Sequence, residues 1–332
     1  MRRKTFLIAA AAPLFVPRTA RAQSDADPAI SSARPALRVL LGPGEASPAP
    51  DGTFAFQGRL YRGSFTRSDD GQIVNLVDIE AYVGSVVPAE MSPRWPAAAL
   101  QAQSICARTY VLQRSNPRRA YDLVPSELDQ VYRGIEGESP NATAAVMATA
   151  GKVLRFNAGF AQVAYSSCCG GHTEASSDAW GGLPIPYLGG VVCTSCNDSP
   201  YFRWSSSLTL ENIAASLPAS LASIGDLVDL RVAERDASGR ARVIELVGRN
   251  DSVTVQGSAF RRAVGPRTLR SLLITAVQHW RDSPDIDIEG GGLGHGVGLC
   301  QWGAHGMAAT GTAAPEILAH YFPGTAVTDL ER

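Results

Sequence analysis

The sequence lacks the features that define several large classes of protein. After residue 16, no run of apolar side chains is long enough to cross a membrane as a helix. The 30 Lys and Arg residues are balanced by 31 Asp and Glu residues, whereas a general nucleic-acid binder carries a basic excess. No H-E-x-x-H motif is present, which disfavours a zinc hydrolase, and no internal repeat is evident. What remains is a globular protein whose 332 residues suffice for one large domain or two medium ones.

The N-terminus has the pattern of an export signal. A basic start at residues 2–4 precedes an apolar stretch at 6–16, and small residues flank Arg21 at a cleavage site. We therefore predict a signal peptide over residues 1–22, followed by a flexible polar leader over 23–35. The mature protein is expected outside the cytoplasm, with no integral membrane segment.

Hydrophobic periodicity and turn residues predict an α+β fold, with short mixed or antiparallel sheets around a central helix. The central helix is an Ala-rich run from residue 97 to about 112, whose small side chains allow close packing on every side. A change of pattern over about 203–278 predicts an inserted α+β subdomain within a domain that spans 36–332. The other predicted elements are strands at 36–41, 53–67, 72–79 and 160–165, helices at 78–87, 141–154 and 314–321, and, in the insertion, a helical patch at 208–221, strands at 227–235, 241–248 and 251–257, and a helix-like segment at 259–278.

Glu90 is the carboxylate that immediately precedes the central helix. Pro93 and Pro96 make the intervening turn rigid, and Pro96 suits the first position of a helix. We expect Glu90 near the partial positive end of that helix. Two interpretations stay open, an exposed acid that complements the helix dipole or a functional acid.

Six cysteines can form disulfides or bind zinc. In an exported protein, an even number of cysteines first predicts disulfides. Cys106 and Cys300 can be a third pair or two buried thiols. The alternative is a tetrahedral zinc site drawn from the C-C-x-x-H and C-x-x-C spacings. Its candidate ligands are Cys168, Cys169, His172, Cys193 and Cys196.

Three separated segments carry a resemblance to a known family. They read AYVGSVVPAEMSPRWPAAALQAQSICARTY, AYSSCCGGHTEASSDAW with PYLGGV, and GHGVGLCQWGAHGMAATG with EILAHYFPG. In this order they resemble the stage II sporulation protein D family, also called the SpoIID/LytB domain, over about residues 37–327. Some members bind zinc through His and Cys in the loop before a Gln-Val-Tyr segment, but here that loop, RRAYDLVPSELDQVYRG, contains neither residue.

The resemblance implies action on bacterial cell-wall glycan, with Glu90 as the catalytic acid/base. A lytic transglycosylase needs only one such carboxylate, whereas glycoside hydrolysis ordinarily needs two. The apolar neighbours Val86, Val87, Met91 and Trp95 would favour the protonated acid. The expected cleft walls are the glycine loops around 166–174 and 295–302, and Trp302 or Trp180 either stacks on a sugar or packs in the core. The expected substrate-binding residues are Gln103, Arg108, Ser166, Gly170, Gly171, Thr173, Glu174, His295, Gln301 and Trp302.

The family leaves two functions open for this chain. The first is a periplasmic or wall-associated lytic transglycosylase that forms 1,6-anhydro-muramic ends. The second is a non-catalytic wall-binding protein that stimulates an N-acetylmuramoyl-L-alanine amidase. The expected partners are peptidoglycan glycan strands and, for the second function, the amidase. No cofactor is expected apart from the zinc alternative.

Overall fold

A computed structural model describes residues 36–126, 129–280 and 283–330, so the predicted signal peptide and leader lie outside the described residues. The strands are β1 (Ala36–Pro43), β2 (Ala46–Ala49), β3 (Thr53–Phe56), β4 (Arg59–Arg62), β5 (Ser64–Arg67), β6 (Gln72–Asp78), β7 (Lys152–Phe156), β8 (Gly159–Phe160), β9 (Tyr165–Ser166), β10 (Trp204–Thr209), β11 (Leu227–Arg235), β12 (Ala241–Gly248), β13 (Ser252–Gln256), β14 (Leu273–His279), β15 (Asp285–Gly291), β16 (Leu299–Cys300) and β17 (Ala326–Asp329). The helices are α1 (Ile79–Glu90), α2 (Ala97–Arg114), α3 (Pro140–Ala148), α4 (Ser176–Trp180), α5 (Leu210–Ser216), α6 (Gly257–Val264), α7 (Gln301–Ala309) and α8 (Ala314–Tyr321). Within these ranges, no helix combines the length and the apolar character that a membrane crossing requires.

The strands form small sheets, as the α+β prediction requires. Three sheets have the orders β1-β6-β5, β2-β3-β4 and β17-β7-β8, and three more have the orders β10-β15-β14, β11-β12-β13 and β16-β9. Neighbouring strands run antiparallel except in the parallel pair β9–β16. Short antiparallel sheets with helices between them make an α+β fold, which confirms the predicted class.

The chain divides into two units. The described part of the first comprises 36–126, 129–164, Met307–His320 and 324–330, and that of the second comprises 165–280, 283–306 and Tyr321–Pro323.

Helix α2 is the buried centre of the first unit, as predicted. All eight residues from 102 to 109 are buried, so the middle of the helix is enclosed on every side. Helices α1 and α3 and strand β7 pack around it. The Thr109 hydroxyl accepts a hydrogen bond from the backbone N–H of Leu154 at 2.8 Å, which ties α2 to β7. Small side chains allow this close approach on several faces at once.

Two predicted helices are wrong at their C-terminal ends. The helix predicted over 141–154 stops at Ala148, because Gly151 adopts a φ of 74° and the chain enters β7. The helix-like segment predicted over 259–278 stops at Val264 before Gly265, whose φ is 97°, and its second half forms β14. The strand predicted over 160–165 is divided between β8 and β9.

The second unit has its own hydrophobic core. Strands β11 and β12 have the predicted bounds, and their buried side chains pack with Phe260 of α6. The same core includes Ile286 and Ile288 of β15, which lie beyond the C-terminal limit predicted for the insertion. That residues of about 203–278 form a subdomain inserted into a larger domain stays a prediction.

Candidate functional site

Glu90 is the last residue of α1. Asp78 caps the N-terminus of this helix by accepting hydrogen bonds from the backbone N–H groups of Glu80 and Ala81, and Met91 ends it in an extended conformation. The predicted helix before Glu90 is therefore confirmed, and it extends to Glu90 itself. Glu90 is half-buried at the C-terminal end of α1, where the dipole of that helix carries partial negative charge. Its expected position near the positive end of α2 stays a prediction.

Two phenols share the surroundings of Glu90. Tyr82 lies two helical turns before Glu90 on the same stripe of α1 and is fully buried. Burial raises the pKa of Tyr82 and of Tyr110, and the nearby charge of Glu90 contributes to both shifts in the same direction. The Tyr110 hydroxyl donates to Asp129 Oδ1 at 3.2 Å, whereas the Tyr82 hydroxyl has no hydrogen-bond partner among the described residues. Glu90 thus lies within electrostatic range of two phenols, of which Tyr82 is buried and Tyr110 is half-buried.

Gln103 and Arg108 lie in the buried middle of α2. Neither polar atom of the Gln103 side-chain amide has a hydrogen-bond partner in the described part of the chain, although the residue is fully buried. An unpaired buried amide costs about 1–3 kcal/mol, so its retention needs an explanation. The Arg108 guanidinium instead pairs with Glu80 at 2.5 Å and donates to the carbonyl of Lys152 at 2.9 Å. These partners favour a structural role for Arg108. Contact between Arg108 and the substrate stays a prediction.

The two predicted glycine loops lie side by side in the second unit. Strand β9 pairs with β16, and isolated bridges join Cys168 to Leu293 and Glu174 to Val297. Gly170 has a φ of 75°, and a Cβ there would lie 2.9 Å from the backbone nitrogen of Gly292. Only glycine adopts this positive φ readily and leaves room for the backbone of Gly292 to approach so closely.

The other predicted residues of these loops differ in their environments. Thr173 is buried, and its hydroxyl accepts from the backbone N–H of Val191 at 2.7 Å. The Ser166 hydroxyl and the Gln301 side-chain nitrogen are buried without a hydrogen-bond partner among the described residues. Trp302 is half-buried, with its ring 5.3 Å from that of His305. The Gly171 backbone has a φ of 118°, and its carbonyl accepts from the N–H of Cys193 at 2.9 Å.

Glu174 is a buried carboxyl group beside the guanidinium of Arg240. Burial raises the pKa of Glu174 to about 8, although the positive charge of Arg240 acts in the opposite direction. The closest atoms of the pair, Arg240 Nε and Glu174 Oε2, are 3.5 Å apart. Arg240 also donates to the carbonyls of Cys169 at 2.7 Å and His172 at 2.9 Å. Arg240, which immediately precedes β12, therefore braces the loop, a role that no local sequence pattern indicated.

His295 uses both ring nitrogens within its own unit. Nδ1 accepts a hydrogen bond from the backbone N–H of Val297 at 3.0 Å, and the ring also interacts with the backbone of Tyr165. Its centroid lies 5.1 Å from the ring of Trp180, whose side chain is 39% exposed. Burial lowers the pKa of His295 to about 4, so the ring is neutral near pH 7.

We expect His295 to make stability depend on acidity. Its folded pKa of about 4 lies below the unfolded value of 6.5, so its contribution is complete above pH 6.5 and is lost as the pH falls through 4. The difference in unfolding free energy between the wild type and His295→Asn should shrink by about 3 kcal/mol over this interval. Urea unfolding at a series of pH values measures it, with the exposed His279→Gln variant as control. A difference that does not change with pH would contradict the prediction.

All six cysteines are free thiols, so the predicted disulfides are not present in the described structure. The sulphur atoms of Cys169, Cys193, Cys196 and Cys300 instead lie within 4.8 Å of one another. This group differs from the metal-ligand set predicted from spacing, because it contains Cys300 and excludes Cys168 and His172. His172 Nδ1 lies 2.7 Å from the carbonyl of Thr173.

The predicted site residues fall into both units. Glu90, Gln103 and Arg108 belong to the first, and the remaining eight belong to the second. The sequence did not indicate Tyr82, Tyr110 or Arg240. For Tyr82 the sequence did contain a signal. Tyr82 precedes Val86 by one helical turn and Glu90 by two, so the three residues share one face of a helix.

Comparisons with known proteins agree with these motifs. The family model described as stage II sporulation protein matches residues 67–156, and a model for a domain of unknown function matches 191–298. An uncharacterized protein of Brachyspira hyodysenteriae is 33% identical over 286 residues, which cover 84% of this chain and 75% of that protein. The stage II sporulation protein D of Bacillus subtilis is 26% identical, with 78% of this chain and 77% of that protein covered. The amidase enhancer of Bacillus subtilis is 28% identical, with 73% of this chain but 40% of that longer protein covered. The chain therefore belongs to the stage II sporulation protein D family.

Proposed function

We propose that this protein is an exported, periplasmic or wall-associated lytic transglycosylase that cleaves peptidoglycan glycan strands. The observation that carries the proposal is the position of Glu90, a half-buried carboxyl group at the end of α1 within the VVPAEM motif of the family. The predicted export signal agrees with a substrate outside the cytoplasm.

The proposed reaction uses Glu90 twice. The protonated carboxyl group donates its proton to the glycosidic oxygen that joins N-acetylmuramic acid to N-acetylglucosamine, and the bond from that oxygen to C1 breaks. The resulting carboxylate takes the proton from the C6 hydroxyl of the same muramic acid, whose oxygen bonds to C1. The product carries a 1,6-anhydro ring, and no water is consumed. A single carboxylate is therefore sufficient, because it donates one proton and then takes one back.

The surroundings of Glu90 support its first role as an acid. Val86 and Val87 on the last turns of α1, and Met91 after it, are all buried. A carboxyl group in an apolar setting at the negative end of a helix dipole is less readily ionised than one in water. The Tyr82 hydroxyl, which lies within electrostatic range of Glu90, is buried without a hydrogen-bond partner among the described residues, and functional sites retain such groups at a cost in stability. The proposed reaction requires Glu90 to carry its proton when substrate binds.

A second function is favoured by one comparison. The amidase enhancer of Bacillus subtilis matches 73% of this chain, so a role in stimulating a cell-wall amidase is the alternative. In that case the glycan would be bound without cleavage, and an amidase would be the catalytic partner.

Product analysis separates the two functions. Residues 23–332 are incubated with intact sacculi and with amidase-stripped glycan strands, and the digests are analysed by mass spectrometry. A parallel arm measures the rate of an N-acetylmuramoyl-L-alanine amidase with and without the protein. New 1,6-anhydro-muramic ends are the expected result. Reducing ends would instead indicate a hydrolase, with Glu174 as the next carboxylate to replace, and faster amidase action without new glycan ends would establish the alternative.

A further inference from the structure

We propose that Cys169, Cys193, Cys196 and Cys300 bind one zinc ion in a tetrahedral tetrathiolate site. The inference concerns the second unit alone and does not depend on the proposed glycan cleavage. The site differs from the ligand set that the sequence spacing suggested, since Cys300 replaces Cys168 and His172.

The distances fit a single tetrahedral ion. Zinc–thiolate bonds of about 2.3 Å place the sulphurs of a tetrahedral site about 3.8 Å apart. The Cys169 and Cys196 sulphurs are 3.8 Å apart, and all four sulphurs lie within 4.8 Å of one another. None of these pairs has the separation of about 2.0 Å that a disulfide requires, since all six cysteines are free. The cluster therefore matches a metal-bound arrangement better than a pair of disulfides.

The four ligands come from three segments that the fold brings together. Cys193 and Cys196 form a C-x-x-C turn, Cys169 follows β9, and Cys300 ends β16. The parallel pairing of β9 with β16 sets Cys169 close to Cys300, which is 131 residues away in the chain. Closed sites with four protein ligands are typical of structural zinc.

Hydrogen-bond donors surround the sulphurs as they do in thiolate sites. Cys300 Sγ accepts from the backbone N–H groups of Cys169 at 3.2 Å and Gly303 at 3.3 Å, so it also caps the first turn of α7. The Tyr321 hydroxyl lies 3.1 Å from Cys193 Sγ, within range to donate to it. Such contacts stabilise negative sulphur and orient it towards a metal.

The packing and charge around the cluster suit a buried tetrathiolate. A Cβ at Gly303 would lie 2.7 Å from Cys193 Sγ, so the helix can approach the C-x-x-C turn only with glycine there. Zinc with four thiolates carries two net negative charges, which need compensation in a buried site. Arg240 is 1% exposed and donates to the carbonyl of Cys169 at 2.7 Å, which puts a positive charge beside the cluster. The four thiol protons leave to solvent as the metal binds.

Two other cysteines provide matched controls. Cys168 is the sequence neighbour of Cys169, and its thiol interacts with those of Cys196 and Cys300, yet it is outside the group of four. Cys106 is a buried thiol on α2 in the first unit. Replacing either should leave the bound metal unchanged, whereas Cys300→Ser should remove it.

The test is metal and thiol analysis of the whole mature chain, residues 23–332, purified from zinc-supplemented cells without reductant. Native mass spectrometry and elemental analysis should give about one zinc per chain, and cobalt exchange should produce the visible absorption of a tetrahedral thiolate site. Cys168→Ser and Cys106→Ala should keep the zinc, Cys300→Ser should lose it, and Tyr321→Phe should weaken zinc binding by about tenfold. Because the wild-type measurements need no variant, a variant that fails to fold does not decide the question.

Three results would overturn the proposal. Two disulfides within the group of four and no metal would restore the disulfide interpretation. Stoichiometric iron would reject zinc, and loss of zinc in Cys168→Ser with retention in Cys300→Ser would reject this ligand set. None of these outcomes bears on whether Glu90 cleaves glycan, which is measured on different products.

Discussion

Glu90→Gln is expected to lower the rate at which 1,6-anhydro-muramic ends form by about 10²–10⁴-fold. Glutamine keeps the shape of the protonated side chain but cannot transfer its proton to the glycosidic oxygen or take one from the C6 hydroxyl. The binding contacts of the glycan are expected to remain, so the loss should fall on turnover rather than on affinity. Initial rates on amidase-stripped strands measure the effect, with a sedimentation assay for binding.

Glu136→Gln is a suitable control for this variant. Glu136 belongs to the same unit, and its side chain is 60% exposed beside Arg59. Its replacement should leave the rate unchanged, and the unfolding midpoints of both variants should match the wild type. A Glu90→Gln protein that still forms anhydro ends at the wild-type rate would refute the proposed acid/base.

Arg108→Met is expected to destabilise the first unit by about 3–5 kcal/mol. Arg108 is fully buried, and its guanidinium pairs with Glu80 and reaches the carbonyl of Lys152, so one side chain links α1, α2 and β7. The substitution keeps most of the apolar volume but leaves the Glu80 carboxylate buried without its cation. Only the backbone N–H of Gly151, at 3.0 Å from Glu80 Oε1, would remain from this network.

Two further variants separate charge from volume. In the double variant Glu80→Gln with Arg108→Met, no buried charge is left unpaired, and we expect a large part of the stability to return. Arg62→Met removes a comparable ion pair with Glu138 whose arginine side chain is 49% exposed, and it should cost less than about 1 kcal/mol. Urea unfolding gives all three values. A cost below 1 kcal/mol for Arg108→Met would show that the pair contributes no more than a surface one.

Local sequence was sufficient to predict a helix or strand where the hydrophobic pattern of that segment alone determines its conformation. The Ala-rich pattern located α2, and the patterns at 227–235 and 314–321 coincide with β11 and α8. It was insufficient at Glu90, because Pro88 lies inside α1 and the helix continues to Glu90 rather than ending at 87. The sequence therefore did not predict that Glu90 ends a helix, where the dipole of that helix carries partial negative charge.

By itself, the sequence determined the α+β class, the central buried helix and the family. These follow from periodicity and from motifs whose residues are adjacent in the chain. Only the tertiary structure decided that Arg108 pairs with Glu80, that Arg240 braces the cysteine loop, and that Cys300 completes the group of four sulphurs. The physical reason is that contacts between residues far apart in sequence depend on how strands such as β9 and β16 pair, and no local pattern encodes that pairing.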